Sequence, residues 1–316
     1  DSSILSQKKQ LEVSRLQAEI AAENIALRSY EVWINLYRQK NVIKIYEEGL
    51  RKAEPFLGQI QNISVSGLGD TSMFIKAQQD YSKLKIANSR SSTELQTALA
   101  LFQEMFPNSN TDILAEIPTP KVYENERAFK SLLKNSATLK AQNHLISGLN
   151  EQLKALQAQK NPNLSINAGV TAPLRNTLKD GTANVGLLVN YIFNDGGRLD
   201  SQIKTLIEQI KQAKLQKQSI EKQLKSQLEV ALKSFSGAKK TYQVIFDMVE
   251  LSRKNKKELS AQLETGRSKI QDVLNAEVTL SENRILLANS AAELKIASVR
   301  VRALTDGLTK EIGWKP

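Results

Sequence analysis

From about residue 198 to 263 one apolar seam runs on without a proline: Leu199, Ile203, Leu206, Ile210, Ala213, Ile220, Leu224, Leu228, Phe235, Tyr242, Ile245 and Val249. At about 1.5 Å per residue such a helix is roughly 100 Å long. No small globule has that diameter, so the helix must pack along neighbours of similar length, as in a coiled coil or tube. The seam shifts phase between Leu224 and Leu228, so strict heptads are not sustained.

A repeat at an offset of 199 residues extends this reading. Around Gly67 the chain reads G-L-G-D-T-S-M-F-I-K-A-Q, and around Gly266 it reads G-R-S-K-I-Q-D-V-L-N-A-E. Each glycine turn leads into an apolar-periodic helix, through Phe74, Ile75 and Ala77 in one copy and Val273, Leu274 and Ala276 in the other. The expected organisation is mainly α with a small β part. A first long helical hairpin covers 1–106, with its tip near 67–72. A Pro-rich connector (Pro107, Pro118, Pro120) covers 107–124 and a shorter helix 125–160. A β-hairpin covers 161–197, a second long helical hairpin 198–306 with its tip near 265–272, and a tail 307–316.

The hairpin is read from a change of period. Leu164, Ile166, Ala168 and Val170 alternate with Asn163, Ser165, Asn167 and Gly169. After a polar loop, Val185, Leu187, Val189, Tyr191 and Phe193 fall on one face of a second strand. Strands of roughly 9–10 residues can cross a membrane when tilted in a barrel. Alternation alone suits a half-buried hairpin in a soluble core equally well. Asn194-Asp195-Gly196-Gly197 then turns the chain into the long helix. It matches neither of the glycine-rich phosphate-binding patterns, so a strand-to-helix turn is the expectation.

Composition closes off other functions. There is no cysteine, which excludes disulfides and thiolate chemistry, and the single histidine, His144, has no companion for a zinc site. No cofactor is expected and no catalytic constellation emerges. The net charge of +11 is spread among Gln, Glu and Ser along the helices rather than gathered into a basic tract with aromatics, so nucleic acid is not an expected partner. No run of 18 apolar residues provides a transmembrane helix.

Four segments resemble the TolC-like outer-membrane efflux and type I secretion channel family. They are P-N-L-S-I-N-A-G at 162–169, V-G-L-L-V-N-Y-I-F-N-D-G-G-R at 185–198, T-G-R-S-K-I-Q-D-V-L-N-A-E at 265–277, and R-V-R-A-L-T-D-G at 300–307. The resemblance implies a homotrimer. Three protomers would share one β-barrel in outer-membrane lipid and one α-helical tunnel through the periplasm. Leu164, Ile166, Val170, Val185, Leu187, Val189, Tyr191 and Phe193 would then face lipid. The family carries two strand pairs per protomer and this sequence holds one. Six strands per trimer fall below the usual barrel minimum of about eight. The offset therefore predicts a helix and a first hairpin immediately upstream of Asp1.

The resemblance also implies a site at the tips. Polar and charged residues there close the periplasmic entrance, so Asp272 and Asn275 become candidate pore-constricting residues, with Arg267, Ser268 and Lys269 as candidate bonding partners. Asn275 stands where relatives often carry a second acid. Ordinary helix capping explains part of the same pattern, with Ser268 as N-cap and Asp272 in the first turn. The tips also receive a periplasmic adaptor protein in the family, which makes Gly67, Gly69, Asp70, Thr71, Ser72 and Gly266 candidate docking positions. The implied function is a passive outer-membrane conduit fed by an inner-membrane transporter through that adaptor. The competing expectation is a soluble periplasmic coiled-coil scaffold or adaptor.

Overall fold

In the computed structural model, residues 2–66, 71–111, 114–117, 122, 133, 136–171, 182–191, 193 and 195–314 are described. Helix α1 runs Ser2–Val65 and α2 Thr71–Met105. Helix α3 runs Ala137–Ala158, and strands β1 (Asn163–Thr171) and β2 (Thr182–Asn190) follow. Helix α4 runs Arg198–Glu264, α5 Ile270–Ala303, and a single turn, α6, Leu308–Glu311. The chain forms two compact units. One holds residues 1–20 and 133–224; the other holds 21–132 and 225–315. The boundary inside α4 falls at Leu224, where the seam changes phase.

In the first unit, Leu139 of α3 and Ile203, Leu206 and Ile210 of α4 are buried. Gln142, also buried, donates its side-chain N–H to the carbonyl of Ala213 at 2.9 Å, which satisfies the amide inside an apolar seam. Of the helix expected over 125–160, residues 125–132, 134 and 135 lie outside the described residues. Ser136 is extended (φ −60°, ψ 141°) and its hydroxyl accepts the N–H of Leu139, so it caps α3, which starts at Ala137. Lys160, just past α3, pairs with Asp200 in the first turn of α4 at 2.5 Å.

Among the described residues of the second unit, apolar clusters are stacked along α1, α2 and α5. Ala26, Ile34, Ala292, Val299 and Leu308 form one cluster. Leu36, Ala98 and Phe102 form the next, where Trp33 meets Phe102 and Phe106 edge-on at 5.4 and 5.7 Å. Val42, Ile45 and Ile285 follow. Gly49 permits the close approach of α5, because a Cβ there would lie 2.6 Å from Ser281 Oγ. Alongside these clusters α1 and α5 are joined by Arg300–Glu31 and Arg284–Glu48 ion pairs, at 2.8 and 2.9 Å, and by Arg38 donating to Asn289 at 3.0 Å.

Helix α1 runs through Pro55 to Val65 although one backbone donor is lost. The described residues of the expected tail 307–316 are anchored. Leu308 is fully buried, and α6 is held at its N-terminus by Glu23 of α1. Burial of an apolar side chain and a shared carboxylate fix the segment, and neither is visible from local composition.

Candidate functional site

The β-hairpin comes first in the chain. Its strands pair antiparallel in the register Leu164–Val189, Ile166–Leu187, Ala168–Val185 and Val170–Ala183. Side chains alternate across a strand, so these pairs make one continuous apolar face, and Ser165, Asn167, Gly169, Asn184 and Gly186 make most of the other. Leu188 is the apolar residue on that second face. Among the described residues nothing covers the apolar face. Val170 and Val185 are each 81% exposed, Phe193 90%, and Leu164, Ile166, Leu187, Val189 and Tyr191 are all exposed. Tyr191 and Phe193 lie past the end of β2, with their rings edge to face at 4.6 Å. The half-buried soluble hairpin is therefore not the arrangement found. Beyond it Gly196 and Gly197 take positive φ (66° and 80°), and the Asp195 carboxylate accepts the N–H groups of Gly197 and Leu199, at 3.0 and 2.7 Å, to start α4.

The second candidate is the turn between α4 and α5. Gly266 has φ +70°, its N–H donates to Leu263 O at 3.0 Å, and the Arg267 N–H donates to Gln262 O at 2.8 Å. That pair of bonds is a Schellman closure, which satisfies the last carbonyls of α4 and requires the left-handed backbone that glycine adopts freely. Arg267 and Lys269 are exposed in the turn, as is Asp272 one turn into α5.

The cap differs from expectation. Lys269, not Ser268, occupies the N-cap position with an extended backbone (φ −87°, ψ 148°), and Ser268 donates its hydroxyl to the Lys269 carbonyl. Lysine has no side-chain acceptor, and the Asp272 N–H donates to the Lys269 carbonyl at 3.0 Å, while the Asp272 carboxylate bonds back to Lys269. Its Oδ2 accepts the Lys269 N–H at 3.3 Å, the reciprocal half of a capping box. Asn275 is half-buried, and its Oδ1 accepts from Gln271 at 3.0 Å. Within the protomer both candidate constriction residues are thus engaged with their own helix.

The tip is seated by a shared apolar cluster. Leu274 is fully buried with Ala53 and Ile60 of α1 and Ala77 of α2, and Phe56, Met73, Phe74, Tyr81, Ile270 and Val278 pack around them. This cluster brings the first turns of α2 and α5 together on α1. Thr71 and Ser72 are exposed there; Gly67, Gly69 and Asp70 lie outside the described residues. The equivalence of the two repeats is not complete, since Ile75, the counterpart of Leu274, is 50% exposed.

Sequence reasoning passed over two polar pairs close behind the turn. Glu277 of α5 is 1% exposed and is paired with Lys256 of α4. Asn283 of α5 donates to Ser252 Oγ of α4 at 2.7 Å. The signal was present in the seam spacing, where Val249, Ser252, Lys256 and Leu259 follow one another at intervals of three and four and two of the four are polar. Among the described residues no cluster of potential metal ligands occurs, and no helix is long and apolar enough to cross a membrane.

The family model described as outer membrane efflux protein matches residues 128–307. No curated protein matches the chain by sequence. The fold is similar to solved membrane-protein structures at low identity. A membrane protein from Pseudomonas aeruginosa superposes with TM-score 0.76 at 14% identity, over 96% of this chain and 72% of that one. The Campylobacter jejuni CmeC outer membrane channel gives 0.74 at 13%, over 99% and 70%, and the Vibrio cholerae outer membrane protein VceC gives 0.73 at 15%, over 97% and 75%.

Proposed function

We take as premise that this chain belongs to the outer membrane efflux protein family, a transport family of the Gram-negative outer membrane, and we propose that its protomer forms part of a passive trimeric conduit with the Gly266 tip at the periplasmic entrance. The observation that carries the reading is the hairpin. Two nine-residue strands present one unbroken apolar face and one largely polar face, and among the described residues none covers the apolar one. Nine residues suit a tilted barrel strand, and outward apolar with inward polar residues is the barrel pattern. Leu164, Ile166, Val170, Val185, Leu187, Val189, Tyr191 and Phe193 then face lipid. A soluble scaffold would leave this face in water.

At the other site the long hairpin α4–α5 lines the entrance. Asp272 and Asn275 are its constriction, and Arg267, Ser268 and Lys269 are the residues able to bond across protomers. Thr71, Ser72 and Gly266, with Gly67, Gly69 and Asp70 of the first turn, are the docking positions for a periplasmic adaptor. The adaptor connects an inner-membrane transporter, which supplies the energy for export. Opening is a shift of equilibrium in favour of the state the adaptor binds better. The test is conductance of the purified trimer in planar lipid bilayers. Discrete channel openings are expected, and their absence under every condition of voltage, pH and salt removes the conduit reading.

A further inference from the structure

Helices α4 and α5 are not joined in the same way along their length. Far from the turn they stand apart around a groove of about 950 Å³ lined by Val230, Ser234 and Ala238 of α4 and Ala297 and Arg300 of α5, together with Leu27 of α1. Close to the turn they are tied by Lys256–Glu277 and Ser252–Asn283. The Glu277 side chain is only 2% exposed, and its Oε2 is in direct contact with the Lys256 ammonium. Lys256 keeps 26% of its side chain exposed, so the contact runs from a wet helix surface into a dry seam.

A buried carboxylate with a single counter-charge adds little net stability compared with an apolar pair, but it penalises every arrangement that separates the two charges. Moving α4 by one turn relative to α5 would leave Glu277 buried and unpaired, whereas apolar seam residues would tolerate the slip. The device sits where the seam turns polar: Ser252 and Lys256 stand between Val249 and Leu259 at the three- and four-residue spacings that apolar residues take elsewhere along α4.

Resting on the reading of the Gly266 tip as the entrance, we propose that Lys256 and Glu277 are the positioning pair of that entrance: a buried strut that fixes the register of α4 on α5 and so holds Arg267, Lys269 and Asp272 in place. Neither residue touches cargo. Both act through the turn they brace.

The test uses the full trimeric channel with Glu277→Gln, Lys256→Met and the reversed pair Lys256→Glu/Glu277→Lys. Two readings are taken: amide hydrogen exchange and closed-state bilayer conductance. In each single variant exchange over residues 263–272 should rise by roughly tenfold while α1 between Glu31 and Glu48 stays protected, because a local strut and not the global fold is lost. Closed-state leak should rise with it, and the reversed pair should recover both. Unchanged exchange at 263–272 in both single variants overturns the strut. Raised exchange with unchanged leak, in a wild-type channel that conducts, overturns its role at the entrance. A wild-type trimer that never conducts overturns the conduit reading instead, and the exchange result still decides whether the pair braces the turn.

Discussion

Glu23 accepts the backbone N–H of Leu308 at 2.7 Å, joining positions 285 residues apart in the chain. Its second oxygen takes the N–H of Thr309 at 3.0 Å and the Thr309 hydroxyl at 2.6 Å. With Glu23 only 4% exposed, its charge is balanced by the orphan donors at the start of α6 and by little water. Glu23→Ala should therefore lower stability by about 3 kcal/mol, since it strands buried donors as well as removing three bonds. Thr309→Val, which loses the hydroxyl alone, should cost about 1 kcal/mol. Thermal unfolding of the purified protein, followed by circular dichroism, checks both; equal effects would show that the carboxylate does not hold α6.

The same contact shows where sequence reading ends. Long helices and the hairpin were legible because burial imposes a period, and Ile203, Leu206 and Ile210 on the one hand and Leu164, Ile166 and Val170 on the other declare it locally. The tip was legible as a glycine turn for the same reason. What was not legible rests on partners distant in sequence or on competition between neighbours. Local composition of 307–316 does not show its anchor, which is Glu23, far upstream. Ser268 has the better capping chemistry, yet Lys269 takes the position, with its N–H accepted by the Asp272 carboxylate. Glu277 lay inside the recognised tip segment, and its role depends on Lys256 across the hairpin.

Acid should weaken the α1–α5 zipper in a defined direction. The hydrogen bond from Arg284 is the main reason the Glu48 carboxyl lies below its ordinary value of 4.5. A carboxyl with a depressed folded pKa contributes stability above its unfolded pKa and loses it as pH falls through the folded value. Arg284→Met should thus melt below wild type at neutral pH, and the gap should close as pH falls below about 4.5. Both side chains are roughly a quarter exposed, at 28% and 22%, so the gap should be small and shrink further in high salt. A gap that widens in acid would contradict the assignment.

Lipid exposure of the hairpin can be tested by contrasting its two faces. Leu187→Arg places a charge on the apolar face, where it should cost roughly 2–4 kcal/mol near the bilayer midplane. Asn167→Arg, on the opposite face, should be tolerated, because that face meets water in a barrel. The measurement is the amount of folded trimer recovered from the outer-membrane fraction. Loss for Leu187→Arg with near-normal recovery for Asn167→Arg is expected; equal recovery of the two would place the hairpin outside the bilayer.

The proposed entrance gives Asp272 a second role beside capping, and one pair of substitutions separates the two. As a cap it needs an acceptor within reach of the Lys269 N–H, now at 3.3 Å. As a member of the proposed threefold ring it would need its charge. Asp272→Asn keeps the acceptor and removes the charge, whereas Asp272→Ala removes both. The Asn variant should hold the turn, and so keep the closed state tight, while shifting the reversal potential of the open channel toward anions. The Ala variant should show the same shift and, in addition, raised leak, because losing a helix cap costs about 1 kcal/mol and loosens the first turn of α5. Bilayer recordings under a salt gradient read both quantities. Leak in the Asn variant equal to that in the Ala variant would assign closure to the charge alone, and wild-type selectivity in both would remove Asp272 from the constriction.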